Sequence, residues 1–251
     1  MTKSNIYLFA NWKMYLDLAE SEKLAKALVK NCKKMSKKIK MAIFPSALSF
    51  VSVAKILKKS VLQIGAQNMH FEDKGGFTGE VAATMYKASG ANYVLVGHSE
   101  RRHLFHETNH EVQMKMEAAL NNKLIPILCV GETIKEREER KAKEVVEIQL
   151  RSALHGVVWS KNSQLIVAYE PVWAIGTGKH CDPAEAQKMS EIIFQIVDNL
   201  APGLKLIVLY GGSVNGENVA DFMKQPNING ILVGGASSKL DSWMQIMHNA
   251  L

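Results

Sequence analysis

Eight short runs of apolar, largely β-branched residues recur along the chain, each followed by a longer stretch with helical periodicity. The runs are Ile6–Asn11, Met41–Phe44, Leu62–Ala66, Tyr93–Val96, Ile125–Val130, Leu165–Tyr169, Leu206–Tyr210 and Ile231–Val233. They are nearly continuous in apolar residues rather than alternating, which is the pattern of parallel strands buried on both faces. This strand and helix alternation specifies an α/β fold with a parallel sheet. Over the 251 residues each unit averages about 31 residues, a repeat that suits closure into a single (β/α)8 barrel. No linker-like stretch divides the units, so one barrel domain over residues 1–251 is expected. An open doubly wound sheet competes, but it calls for a Gly-rich fingerprint after its first strand. That place holds Asn11-Trp12-Lys13.

The helical stretches are amphipathic. Leu18–Met35 gathers Leu24, Ala27, Leu28 and Met35 on one stripe and turns Glu20, Glu22, Lys23 and Lys30 elsewhere. Glu132–Leu154 opens with the mixed-charge run KEREERKAKE and continues into Val145, Val146, Ile148 and Leu150, which reads as one solvated helix. Asp182-Pro183-Ala184-Glu185 reads as a helix start, with Asp at N-cap, Pro at N1 and Glu at N3 reaching back to the cap.

Charge narrows the function classes. Basic side chains number 31 against 24 acidic ones, for a net +7 and a pI near 9.2. Much of the excess sits in Lys33, Lys34, Lys37, Lys38 and Lys40, which are expected to close the first helix. No aromatic residues interleave with them, so no nucleic-acid partner is expected. No 18 apolar residues run together, and the opening MTKSNIYLFANWKMYL lacks the apolar core of a secretory signal. No membrane partner and a cytoplasmic location are therefore expected. Cys32, Cys129 and Cys181 lack CxxC spacing, which fits reduced thiols better than a disulfide framework or a zinc ribbon.

In a barrel of this kind the reacting groups gather at the carboxyl ends of the strands. The first strand ends in Asn11 and Lys13, the fourth in Gly97-His98-Ser99-Glu100, the sixth in Glu170, the seventh in Gly211-Gly212-Ser213 and the eighth in Gly234-Gly235. A carboxylate, an imidazole and an ammonium together suit proton abstraction next to a carbonyl, with the two donors stabilising the enolate oxygen. The Gly-rich turns after the last two strands expose backbone N–H groups where barrels often bind phosphate. A phosphate ester is the expected substrate class. Taken singly, each residue also fits a bland reading as a satisfied buried group or plain turn punctuation. Their joint placement at strand ends carries the argument.

Five stretches resemble triosephosphate isomerases, in that family's order and spacing: Asn11-Trp12-Lys13-Met14, Gly97 to Arg102, Ala168 to Lys179, Tyr210 to Val214, and Gly234 to Ser237. The resemblance implies interconversion of dihydroxyacetone phosphate and D-glyceraldehyde 3-phosphate through an enediolate, with neither metal nor organic cofactor. It implies Glu170 as the base, neutral His98 polarising the carbonyl, and Lys13 supplying positive charge with Asn11 beside it and Glu100 orienting it. It further implies that Gly176, Ser213, Gly234 and Gly235 bind the phosphate, and that Pro171 to Lys179 form a lid hinged at Pro171-Val172-Trp173. Cys129 then matches a packing residue near the base. Gly75 to Glu80 resembles the loop through which the family forms homodimers, with Met14, Gln67, Asn68 and Arg101 in the same interface region.

Tyr15, Gly76 and Ile207 depart from the family pattern, as does His180-Cys181-Asp182 at the far hinge of the lid, where an exposed Cys181 would be open to oxidation. Other phosphate-binding barrel isomerases are the nearest enzymatic alternative. A zinc enzyme is the sharpest rival, because His106-Glu107-Thr108-Asn109-His110 fits HExxH. That motif needs a helix throughout, whereas Thr108 and Asn109 are better at a helix start.

Overall fold

A computed structural model describes residues 5–159, 163–175 and 181–251. Eight parallel strands close into a barrel in chain order: β1 (Ile6–Asn11), β2 (Ile39–Phe44), β3 (Gln63–Ala66), β4 (Tyr93–Val96), β5 (Ile125–Val130), β6 (Gln164–Tyr169), β7 (Lys205–Tyr210) and β8 (Gly230–Val233). Tyr7 to Ala10 of β1 pair with Gly230 to Val233 of β8, which seals the ring and leaves no sheet edge. All eight expected runs are strands, with ends shifted by at most two residues.

The continuous apolar runs now have a physical explanation. One set of strand residues, among them Phe9, Phe44, Tyr93, Leu95, Ile127, Ile166, Ile207 and Leu232, fills the barrel interior. The phenyl of Phe9 lies 5.0 Å from the Tyr93 ring and 5.8 Å from Phe44. The alternate set, including Leu8, Ile43, Val94, Val96, Leu128, Val167 and Val208, packs outward against the helices. Each such Leu or Phe removed from water contributes about 1.5–3 kcal/mol.

Ten α-helices stand among the described residues: α1 (Leu18–Asn31), α2 (Ala47–Leu57), α3 (Ala83–Ala88), α4 (Ser99–Leu104), α5 (Asn109–Asn121), α6 (Ile134–Glu138), α7 (Ala142–Leu154), α8 (Pro183–Leu200), α9 (Val219–Met223) and α10 (Leu240–Asn249). The start of α8 keeps two of its three expected parts: the Asp182 side chain accepts the Ala184 N–H and Pro183 is the first helical residue, while Glu185 does not reach back to the cap but accepts from Arg137 Nη2 at 2.6 Å.

Two helix expectations need correction. The first helix stops at Asn31 with Cys32 as its cap, so the lysine run lies in the following turn and at the start of β2. The stretch Glu132–Leu154 is two helices, broken where Arg140 adopts a left-handed φ of +60°. Thr133 and Glu136 form a reciprocal cap that starts α6 after Glu132.

Buried acids set the alkaline limit of the fold. Burial pushes the Cys32 thiol up to about 11 and the Cys181 thiol to about 12, and holds the Tyr86 and Tyr93 phenols near 12. These groups keep their protons in the folded chain at pH values where the unfolded chain, at ordinary values of 9.0 and 10.0, releases them. The unfolded state then binds fewer protons, so stability falls as pH rises. The melting temperature is expected to drop steadily above about pH 9; a melting temperature at pH 11 equal to that at pH 8 would refute this.

Candidate active site

A cleft of about 380 Å³ opens at the carboxyl ends of the strands, and Asn11, Lys13, His98, Glu170, Ser213, Gly234 and Gly235 all line it. Gly176 lies outside the described residues, as do Thr177 to Lys179 of the expected lid and His180 of its far hinge. Tyr15, Glu100 and Ile175 line the same space.

Lys13 reaches the cleft from a strained turn. Its φ of +48° is a left-handed conformation that side-chain-bearing residues seldom adopt. The turn is held on two sides: Asn11 Oδ1 accepts the Lys13 N–H at 3.1 Å, and Gln67 Nε2 donates to the Lys13 and Phe44 carbonyls at 2.8 Å each. The ammonium donates to Glu100 Oε1 at 2.5 Å. A Cβ at position 234 would sit 2.9 Å from Lys13 Cε, so glycine there leaves the lysine its channel.

His98 caps the amino end of α4, and its Nδ1 accepts the Glu100 N–H at 3.2 Å. A nitrogen that accepts carries no proton, so the ring is neutral with its hydrogen on Nε2, facing the cleft. Nε2 lies 3.3 Å from Glu170 Oε1, while Glu170 Oε2 accepts the Ser99 N–H at 2.8 Å. The carboxylate is almost fully buried.

The backbone that carries Glu170 is fixed from outside the cleft. Its N–H donates to Val130 O at 2.7 Å, and a Cβ on Gly131 would stand only 1.8 Å from the Glu170 carbonyl oxygen. Gln149, from α7, clamps Gly131 by accepting its N–H at 2.8 Å and donating to its carbonyl at 3.1 Å. Cys129 is fully buried nearby, and burial pushes its thiol well above the ordinary value, with the Glu170 charge adding to that. It packs as an uncharged side chain.

Glu132 was expected on a solvated helix, yet it is fully buried. Tyr169 donates its hydroxyl to Glu132 Oε2 at 3.1 Å and Trp173 Nε1 donates to Oε1 at 2.8 Å. The Arg137 guanidinium stacks 4.4 Å over the Trp173 ring and lies 3.7 Å from Glu132 Oε1. The start of the expected lid is thereby anchored. Ser213 Oγ donates to Ala174 O at 2.5 Å, which ties the β7 turn to the same segment. Cys181 is buried, so the condition for its easy oxidation is not met.

The zinc rival fails on geometry. α5 starts at Asn109 with Thr108 as its cap, and His106 has a left-handed φ of +57°, so the two imidazoles do not share a helix face. Glu107 is committed to a buried ion pair with Lys115 and to Arg101 Nε at 3.1 Å. No group of three or more metal-ligating side chains comes together among the described residues.

Residues 6–250 match a family model described as Triosephosphate isomerase. The chain belongs to the triosephosphate isomerase family. The triosephosphate isomerase of Dictyoglomus thermophilum is 41% identical over 241 residues, covering 95% of this chain and 96% of the relative. That of Carboxydothermus hydrogenoformans is 41% identical over 248 residues, 98% of each chain. That of Chlamydia muridarum is 39% identical over 248 residues, 97% of this chain and 91% of its own. Beyond the triosephosphate isomerase signature stretches, sequence reading missed Glu132, Gln149 and the Glu107 network. Glu132 had a usable signal, since it follows the fifth apolar run by two residues, where barrel chemistry gathers.

Proposed function

We propose that this protein interconverts dihydroxyacetone phosphate and D-glyceraldehyde 3-phosphate by moving a proton between adjacent carbons. The observation that carries the reading is the convergence of a buried carboxylate, a neutral imidazole and an ammonium on one cleft walled by two Gly-rich turns. Glu170 exchanges its Ser99 and His98 donors for the substrate C–H and takes the proton, leaving an enediolate. His98 Nε2–H and Lys13 stabilise the developing oxyanion, and protonated Glu170 returns the proton to the neighbouring carbon. Asn11 supports Lys13. Ser213 and the N–H groups of Gly234 and Gly235 hold the phosphate, with Gly176 completing the grip. No step in this scheme calls on a metal or organic cofactor.

The proposal extends to a single 1–251 domain, a cytoplasmic location and a homodimer through Gly75 to Glu80. The dimer is supported by a run of exposed residues from Glu72 to Glu80 and by exposed apolar side chains at Met14, Leu104 and Phe105. Chelator-treated protein is expected to isomerise glyceraldehyde 3-phosphate in a coupled assay and to sediment at twice the 27.9 kDa chain mass. Absence of isomerisation would overturn the reaction, and a monomeric sedimentation mass would overturn the dimer.

A further inference from the structure

The basic character of this chain is concentrated in one sector. Residues 23–71 contain eleven lysines and no Asp, Glu or Arg, so with a net charge of +7 the remaining 202 residues are net −4. Helix dipoles account for part of it: Lys30 and Lys55 lie in the last turns of α1 and α2. Lys33, Lys34, Lys37, Lys38, Lys58 and Lys59 lie beyond those helix ends, where the dipole asks for nothing more. All six are exposed, and among the described residues no acidic side chain pairs with any of them.

The fold joins the two groups. α1 packs on α2, and both helices run back from the cleft, so their carboxyl ends and the starts of β2 and β3 share the base of the barrel. The β2–β3 register pairs Ala42 with Gln63, which sets the turn after α2 beside the segment entering β2. Two lysine runs from separate loops therefore form one face at the end opposite the cleft.

The expectation of no membrane partner rests on the lack of an apolar span, which does not bear on a charged surface, and we propose that this face docks on an anionic lipid bilayer. Three observations favour a lipid surface over nucleic acid. The cations are all ammonium groups, which suit a diffuse field of headgroups, with no guanidinium fork to grip individual phosphates. No aromatic ring stands among them for base stacking. Val61 is exposed directly after Lys58-Lys59-Ser60, supplying an apolar contact at headgroup depth. Among the described residues no helix is long and apolar enough to cross a membrane, and docking through a charged face requires none.

The experiment is co-sedimentation of the full chain with vesicles of phosphatidylcholine alone or mixed with phosphatidylserine. Binding is expected only to the mixed vesicles. It should weaken by about 100-fold or more when Lys33→Gln, Lys34→Gln, Lys37→Gln and Lys38→Gln are combined, and it should vanish at about 0.5 M salt. Isomerase activity of the combined variant reports that it is folded, since none of the four lines the cleft. Equal binding to both vesicle types, no binding to either, an undiminished variant, or displacement from vesicles by a stoichiometric amount of duplex DNA would each overturn the proposal.

Discussion

Glu170→Gln is expected to lower kcat by roughly a thousandfold while KM changes no more than a few-fold. The amide keeps the shape of the carboxylate but cannot take a proton from carbon. It also retains an oxygen to accept the Ser99 N–H, now at 2.8 Å. The structural consequence is therefore small and the chemical one large, which makes the substitution diagnostic. Steady-state rates on purified protein, with the melting temperature as a check on folding, decide the matter. A variant within tenfold of the parent kcat would remove Glu170 from the role of base.

The second large effect concerns stability. Glu107 and Lys115 are both buried, and Lys115 also donates to Asn68 Oδ1 at 2.8 Å. Glu107→Gln strands the ammonium without a counter-charge, and breaking such a pair costs about 3 kcal/mol or more. For a chain of this size that corresponds to a melting temperature lower by roughly 6–12 °C. Glu107→Leu combined with Lys115→Met removes both charges together and should cost less than the single change. A double variant less stable than Glu107→Gln would show that the pair stabilises the fold on balance. Asn68 and Arg101, which complete this network, also lie in the proposed dimer interface, so the single variant is expected to dissociate more readily as well.

The barrel was legible in the sequence because its strands are apolar on both faces. Ile127 and Ile207 meet the interior while Leu128 and Val208 meet the helices, so nothing interrupts the runs. The cleft residues were legible for a related reason, since strand ends in a parallel barrel converge and a polar residue there stands out against the run before it. What stayed hidden depends on contacts between residues far apart in sequence. Glu132 sits at the head of a charged stretch, and only the Tyr169 hydroxyl and Trp173 indole, 37 and 41 residues on, explain its burial. The break at Arg140 carries no glycine to announce it, and the left-handed turn there is closed by the Lys141 N–H donating to the Glu136 carbonyl at 2.8 Å. His106-Glu107-Thr108-Asn109-His110 was ambiguous because a short motif records residue types and not where a helix begins.

Ring closure has a consequence for the order in which this molecule becomes competent. Lys13 follows the first strand and Gly234-Gly235 follow the last, yet the β1–β8 pairing makes them neighbours whose side chain and backbone share one space. During synthesis the lysine emerges early, and more than two hundred residues follow before the glycines that shape its channel are made. Until then β1 presents an unpaired edge, and the substrate cleft lacks one wall. The contacts that hold Glu170 join β4, β5 and β6 and need no such closure, whereas the lysine's side of the cleft is complete only when the two ends of the chain meet.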